Sequence, residues 1–226
     1  MQTAFLYHPI FLEHRTGPRH PEKAARLTSI VEKLKVDGIW DHLRHLPPRE
    51  ATPDEIAWIH SPDYIARLRE SSQSGEWFHE DGDTIGSPGT YPAALRAAGA
   101  VLTAIDGVMS GQVRNAFCAV RPPGHHALRE HGMGFCFFNN IAIGARYLQH
   151  RHGIKRVAIV DWDVHHGNGT QAAFYEDPSV LYFSIHQYPH YPGTGRANER
   201  GSGAGQGLTF NRPLSSGATD TDFLRV

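Results

Sequence analysis

The 226-residue chain is 40% hydrophobic and 20% charged, which is enough apolar sequence to bury one core. Its formal net charge of -1 excludes the strong basic field that binds nucleic acid or an anionic membrane surface. The two cysteines, Cys118 and Cys136, are too few for a disulfide framework, and no stretch reaches the ~20 apolar residues of a membrane span. These properties predict a single cytoplasmic domain over residues 1–226 with reduced thiols.

The first quarter of the chain reads as scaffold. Residues 3–7 predict a short strand, and Pro21 fits the first position of a helix that runs to about Val36. At Thr52 and again at Ser61, a hydroxyl residue is followed by proline and an acid, which predicts the starts of two short helices.

Residues 76–89 lack an apolar period and predict a surface loop. Asp81 and Asp83 could reach over a substrate entrance from this loop, although a solvated turn is the commoner place for such residues. From Thr90, small apolar residues recur at helical spacing and predict a long, closely packed helix that ends near Gly111.

Three apolar runs, each predicted to be a buried strand, end in polar or aromatic residues: 116–120, 157–160 and 180–185. The first runs into a stiff turn with adjacent His125 and His126, the second into a cluster of acids and histidines, and the third into the aromatic loop 188–195. In an open parallel α/β sheet, ligands gather outside the carboxyl ends of the strands. We therefore expect an open, mostly parallel sheet flanked by helices on both faces, with these three segments around one cleft.

The second run carries residue types that bind metals. Asp161, Asp163 and His165 alternate, so an extended strand would place their side chains on one face. A catalytic zinc usually takes three protein ligands and keeps one position open, and a carboxylate and an imidazole two residues apart could supply two of them. His125 or His126 could accept a proton near neutral pH. Solvated polar strand ends are the ordinary alternative, but so many such groups close together favour an active site.

Four segments resemble the zinc-dependent histone deacetylase superfamily, which includes acetylpolyamine amidohydrolases and acetoin-utilisation proteins, in order and approximate spacing. They are Arg121-Pro-Pro-Gly-His-His-Ala, Gly134-Phe-Cys-x-x-Asn-Asn, Val160-Asp-x-Asp-x-His-His-Gly-Asn-Gly-Thr-Gln and Pro192-Gly-Thr-Gly. The likeness covers nearly the whole chain and is greatest to the class II and bacterial branch, because Asn168 stands where class I members carry an aspartate. It implies an arginase/deacetylase-like fold.

The resemblance also implies catalytic roles. Asp163 and His165 would bind one catalytic zinc ion, and His125 and His126 would lie beside the water that the metal activates. His126 would be the general base, with Asn168 as its orienting partner. The implied reaction is hydrolysis of the acyl amide of acetyl-lysine or of an acetylated polyamine.

Further roles follow from the same resemblance. Asp161 would hold His125 and, together with Ser184 and the backbone carbonyl of Ile185, would belong to a structural potassium site that also uses the carbonyls of its two neighbouring zinc ligands. Three residues would contact the acylated substrate: Gly134 through its carbonyl, and Phe135 and Tyr191 as aromatic walls.

Family members continue beyond this point with a third zinc ligand, an aspartate, and a Gly-Gly-Tyr segment whose tyrosine, or a histidine in its place, helps to polarise the substrate carbonyl. Neither feature occurs in these 226 residues. We therefore expect a chain that is truncated at its C-terminus and misses the last strands of the sheet. Such a chain would be weakly active or inactive alone, and its open sheet edge would favour self-association.

Two alternatives remain open. A manganese ureohydrolase of the arginase type shares the parallel-sheet architecture, but it needs carboxylates that bridge two metals, and tandem histidines fit a single zinc better. The second alternative is a non-catalytic homologue that only binds acylated ligands or a partner. Metal stoichiometry and a comparison with His126→Ala would separate these possibilities.

Overall fold

The computed structural model describes residues 2–225. Its strands are β1 (Thr3–Leu6), β2 (Arg44–His45), β3 (Phe78–His79), β4 (Ile85–Gly86), β5 (Asn115–Cys118), β6 (Val157–Asp161), β7 (Val180–Gln187) and β8 (Thr209–Leu214). Its α-helices are α1 (Ala25–Val36), α2 (Pro53–Ile56), α3 (Pro62–Gln73), α4 (Thr90–Met109), α5 (Asn140–His152), α6 (Asn168–Phe174) and α7 (Asp220–Phe223).

Two parallel three-stranded sheets carry the fold. The first has the strand order β2-β1-β5 and the second has the order β6-β7-β8, while β3 and β4 form a small antiparallel hairpin. Helix α4 packs on β1 and β5, and helix α5 packs on both α4 and β6. The predicted α/β class is confirmed, although between residues 2 and 225 the parallel strands form two sheets instead of one.

Helix α4 is shared by the two hydrophobic clusters of the core. One side of the helix contributes Ala94 and Leu102 to the first cluster, and another side contributes Ala97 and Ala104 to the second. In the described part of the chain, α4 is the one helix whose length and composition would allow it to cross a membrane, although Arg96 and Asp106 interrupt its apolar sequence. Because 56% of its apolar window is buried in the protein, core packing accounts for the composition of α4.

Strands β5 and β6 are less buried than their sequences predict. Both were expected to be covered on both faces, yet Phe117 is 52% exposed, Val160 is 54% exposed and Trp162, just after β6, is 73% exposed. The reason is that each strand pairs on one side only, β5 with β1 and β6 with β7, so each is the edge of its sheet in the part of the chain that the structure describes. An apolar run records a tendency to be buried, and the neighbours decide whether it is.

Helix α1 begins later than predicted. It was expected from Pro21 and instead starts at Ala25, although its end at Val36 is as predicted. The intervening Glu22 is a buried carboxylate that binds Arg121, and this long-range ion pair holds residues 21–24 outside the helix. The local sequence features that predict a helix start give no information about this contact with a distant residue.

The predicted starts of α2 and α3 are confirmed. The Thr52 hydroxyl accepts a hydrogen bond from the Glu55 amide at 3.2 Å, and the Ser61 hydroxyl accepts one from the Tyr64 amide at 3.2 Å. Helix α3 has 12 residues and is therefore not short, unlike α2 with four. The predicted long helix after Thr90 is also present as α4. The expected surface loop 76–89 contains the β3–β4 hairpin, which was not predicted.

Candidate active site

A cavity of about 460 Å³ lies where the segments after β5, β6 and β7 meet. Seven of the residues singled out from the sequence line it: His125, His126, Gly134, Phe135, Asp163, His165 and Tyr191. The predicted convergence of separate segments at one cleft is therefore present. The other four predicted residues, Asp161, Asn168, Ser184 and Ile185, do not line the cavity, and the first two contact residues that do.

The turn that carries the two histidines is anchored at its first residue. Arg121 is 1% exposed and forms a bidentate ion pair with Glu22, with Nε–Oε1 and Nη2–Oε2 distances of 2.6 and 2.7 Å. A third hydrogen bond, from Nη1 of Arg121 to the Phe11 carbonyl at 2.7 Å, uses the remaining side of the guanidinium. A planar fork held at three points cannot rotate freely, so the start of the turn is held in one position.

His125 is held by Asp161. Its Nδ1 lies 3.0 Å from Oδ2 of Asp161, which also accepts a hydrogen bond from the Tyr182 hydroxyl at 3.2 Å. Burial lowers the pKa of His125, but the hydrogen bond that its ring donates to Asp161 and the charges of Asp161 and Asp163 outweigh burial and leave the pKa raised. Burial raises the pKa of Asp161, and its bond to His125 outweighs that effect and lowers it. The pair therefore stabilises the protonated form of His125 relative to a free imidazole.

His126 has a different environment. Its Nδ1 lies 2.8 Å from Oδ1 of Asn168, the first residue of α6. Burial, followed by the neighbouring charge of His125, lowers the pKa of His126 to about 4. The ring is therefore neutral at pH 7, and a donor Nδ1–H to the Asn168 carbonyl oxygen leaves Nε2 as the free acceptor.

Asp163 and His165 sit together in the turn after β6. Oδ1 of Asp163 accepts a hydrogen bond from the His165 amide at 2.8 Å and lies 3.1 Å from its Nδ1. The strand ends at Asp161, so the expectation that all three side chains share one strand face is wrong. Asp161 turns towards His125, whereas the other two line the cavity.

The donor set fits a zinc site only in part. Asp163 and His165 offer a carboxylate oxygen and imidazole nitrogens, which are zinc ligand types, within about 3 Å of each other. Among residues 2–225, however, no group of three or more His, Cys, Asp or Glu side chains is arranged to hold a metal ion. Catalytic zinc sites usually use three protein ligands. The described residues therefore form two thirds of such a site.

Aromatic and glycine residues shape the cavity around the histidines. The Tyr191 ring meets the His126 ring edge-on at a centroid distance of 5.1 Å. Phe135 has a positive φ of 69° and meets the His20 ring at 4.6 Å. Gly134 packs closely against the His126 ring, because a Cβ at residue 134 would lie 2.4 Å from Cδ2 of His126. Only glycine leaves space for the imidazole at this position.

Ser184 and Ile185 lie in β7, away from the cavity. The Ser184 hydroxyl is fully buried and pairs with Nδ1 of His186 at 2.8 Å. The hydroxyl that was predicted to bind potassium is therefore hydrogen-bonded to a neighbouring imidazole. The strand register places Ser184 directly beside Asp161 of β6, as a shared ion site would require.

The sequence reasoning missed several cavity residues: Pro21, Glu22, Arg26, Pro123 and Cys136. Asp83 fits both readings left open for it, because it is an exposed residue in a bend and also lines the cavity, while its carbonyl contacts Nε2 of His20 at 3.0 Å. Asp81 does form the expected turn, since its Oδ1 accepts the Thr84 amide at 2.6 Å. No local signal separates these two aspartates; the position of the hairpin does.

Comparison with known proteins gives concordant results. Residues 20–226 match the model of the histone deacetylase domain. The chain is 40% identical over 228 residues to a probable deacetylase of Archaeoglobus fulgidus, with all of this chain covered, and 39% identical over 230 residues to the human polyamine deacetylase HDAC10, with 93% covered. The crystal structure of the HDA15 HD domain superposes with a TM-score of 0.94 at 38% identity over 98% of the chain. The superposition confirms the predicted deacetylase-like fold.

The matches cover only part of each relative. The chain spans 63% of the length of the Archaeoglobus protein, 33% of human HDAC10 and 67% of the solved HDA15 chain.

Proposed function

The chain belongs to the histone deacetylase family, and we propose that its single domain over residues 1–226 contributes the site of an amidohydrolase that removes acyl groups from acetyl-lysine or acetylated polyamines. The observation that carries the proposal is a neutral, buried His126, oriented by Asn168 at 2.8 Å, in the same cavity as Asp163 and His165. A neutral imidazole beside two side chains of metal-ligand type can accept a proton from a water molecule that a metal activates, which suits amide hydrolysis.

We assign Asp163 and His165 to a zinc ion. When bound, zinc polarises a carbonyl and acidifies water. The protein's own contribution is to the proton: Nε2 of His126 accepts it while Nδ1 stays bonded to Asn168. His125, whose pKa Asp161 raises, would lie beside the oxygen that gains negative charge.

The cavity walls suggest the shape of the substrate. Tyr191 and Phe135 present aromatic surface next to the histidines, which suits a thin apolar stem with no polar group along its length. The Gly134 carbonyl would accept the amide proton of the substrate. An acyl-lysine has both features, and so does the methylene segment next to the amide of an acylated polyamine.

Turnover of an acetyl-lysine peptide and of an acetylated polyamine tests the proposal. Because general base catalysis contributes about 10²–10⁴-fold, His126→Ala should lower any turnover by roughly that factor. His131→Ala, an exposed histidine in the following loop, is the matched control and should leave turnover unchanged. A binder without catalysis would keep its affinity for the acylated ligand in His126→Ala and show no turnover in either protein.

Metal analysis tests the zinc assignment separately. With two ligands in the described residues, we expect one weakly held zinc ion per chain, which Asp163→Asn should release. Two manganese ions per chain would favour the ureohydrolase alternative. A structural potassium ion would involve Asp161 and Ser184, and thermal denaturation in potassium and in sodium would detect it as a difference in Tm.

We also propose that isolated chains self-associate through the open edges of β5 and β6. Phe117, Val160 and Trp162 form an exposed apolar surface along these edges. Sedimentation velocity should show oligomers that Val160→Lys disrupts, whereas Val36→Lys, at an exposed position on α1, should not. A monomer at all concentrations would contradict the proposal. A cytoplasmic location fits the two free cysteines, whose pKa burial raises.

A further inference from the structure

The loop between β7 and β8 carries Tyr191 and is anchored by His166, by His186 of β7 and by Glu199. The Thr194 hydroxyl pairs with Nδ1 of His166 at 2.8 Å, and the Gly195 carbonyl pairs with Nε2 of His186 at 2.9 Å. The backbone amides of Gly195 and Arg196 both point to one carboxylate, that of Glu199, at 3.0 Å each. Glu199 is the one charged group among these anchors.

The same carboxylate reaches the helix that holds the partner of His126. Oε2 of Glu199 accepts a hydrogen bond at 2.7 Å from Nε2 of Gln171, which lies in α6 one turn after Asn168. The other end of the Gln171 amide, Oε1, accepts from Asn211 at 2.7 Å and lies 3.0 Å from Nε2 of His166. Glu199 therefore joins the aromatic loop on one side to α6 on the other.

We infer that Glu199 is a positioning residue, whose carboxylate ties the loop carrying Tyr191 to α6 and so sets the place of Tyr191 beside His126. Tyr191 and His126 are then held in one relative position through α6, because Asn168 at the start of α6 holds His126 and Glu199 ties the loop to the same helix. The hydrogen bonds from Gln171 and the two amides outweigh burial and lower the pKa of Glu199, so the carboxylate is charged at neutral pH. The loop packs closely against β7 at Gly195, where a Cβ would lie 2.4 Å from Nε2 of His186.

Glu199→Gln is the sharpest perturbation, because it keeps the side-chain size and replaces an acceptor oxygen with an amide donor. That donor faces either a backbone N–H or the Gln171 amide, so at least one of three hydrogen bonds is lost. The matched control is Glu176→Gln, the same change at an exposed glutamate whose recorded partner is the Ser202 hydroxyl at 3.1 Å. In the reciprocal pair Gln171→Glu with Glu199→Gln, the new amide can donate to the new carboxylate, which restores the link with its polarity reversed.

Two measurements on the intact chain decide the inference without any activity. Amide hydrogen exchange at Gly195 and Arg196 should become faster by about tenfold or more in Glu199→Gln, since a bond to a charged group is lost. The nuclear Overhauser contact between the Tyr191 and His126 rings should weaken in the same variant and return in the reciprocal pair. Unchanged exchange and ring contact would overturn the inference, as would exchange that becomes faster equally throughout α4 and α5, which would reveal a merely structural role.

An activity measurement adds the functional part, which rests on the proposed function. If the protein hydrolyses an acetyl-lysine peptide, Glu199→Gln should raise KM more than it lowers kcat, because the displaced Tyr191 would contact the substrate stem and would take no part in the proton transfer to His126. A fall in kcat at constant KM would contradict this part. Wild-type protein shows no hydrolysis if the two described zinc ligands do not suffice for turnover, and hydrogen exchange and the ring contact then decide the role of Glu199.

Discussion

Replacing Arg121 with methionine would remove the positive partner of a buried carboxylate directly behind the candidate site. Glu22 is 2% exposed and receives two hydrogen bonds from Arg121, at 2.6 and 2.7 Å. The nearest other cations cannot replace them. Arg26 approaches Glu22 only at 3.4 Å with a side chain that is 58% exposed, and burial lowers the pKa of His14 to about 3, so that His14 is neutral at pH 7.

The expected cost follows from this geometry. Breaking a buried ion pair by removing one partner typically costs about 3–5 kcal/mol, because the remaining charge stays out of water without compensation. A domain has only about 5–15 kcal/mol of stability in total. Arg121→Met should therefore remove a large share of the free energy of unfolding. The double variant Arg121→Met with Glu22→Leu should recover about 2 kcal/mol or more, because no unpaired charge is left.

Urea unfolding at pH 7, followed by tryptophan fluorescence, measures these differences. Arg15→Met is the control, since Arg15 and Glu13 form an ion pair at 3.6 Å with side chains that are 70% and 60% exposed. Exposed pairs contribute about 0–1 kcal/mol, so this variant should unfold close to wild type. The reasoning about the buried pair is wrong if Arg121→Met loses no more stability than Arg15→Met. It is also wrong if the loss of stability in the double variant equals the sum of the losses in Arg121→Met and Glu22→Leu.

Three further predictions concern other sites. His60 is fully buried, and burial lowers its pKa to about 4. Because the unfolded chain binds a proton on this residue at a higher pH than the folded protein does, the contribution of neutral His60 to stability is complete above pH ~6.5 and should fall by about 3 kcal/mol as the pH drops to about 4. Urea unfolding at pH 7 and pH 4.5 should show a smaller loss of stability in His60→Gln than in wild type. Gly134→Ala would place a Cβ 2.4 Å from Cδ2 of His126 and 2.9 Å from Oη of Tyr191, so it should abolish binding of an acylated ligand in calorimetry; retained affinity would contradict the tight packing. Thr52→Ala removes the capping box of α2 and should lower Tm by an amount equivalent to about 1 kcal/mol, whereas no change in Tm would mean that the cap is not stabilising.

Much of the candidate site could be predicted before the structure because its residues are consecutive. His125 and His126 are neighbours, Asp163 and His165 are two residues apart, and each group follows an apolar run that forms a strand. The prediction placed both groups at the carboxyl end of one parallel sheet. Strands β5 and β6 lie in different sheets, but the segments after them line the same cavity, which contains all four residues.

The details that depend on distant contacts could not be predicted. Arg121 and Glu22 are 99 residues apart, and their ion pair both delays the start of α1 and anchors the histidine turn. Alternation along a strand predicted Asp161 and Asp163 on one face, but β6 ends at Asp161, and only Asp163 lines the cavity. Asp83 and Asp81 differ only in how the hairpin presents them.

By itself, the sequence of this protein determined the chemical types at the site, the class of fold and the order of its elements. These properties follow from hydrophobic periodicity and from motifs that a few neighbouring residues carry. Only the tertiary structure decided which apolar strands remain at a sheet edge, that Arg121 pairs with Glu22, and that Glu199 links the Tyr191 loop to α6. Such pairings depend on the relative placement of segments far apart in the chain, and no local pattern of residues encodes that placement.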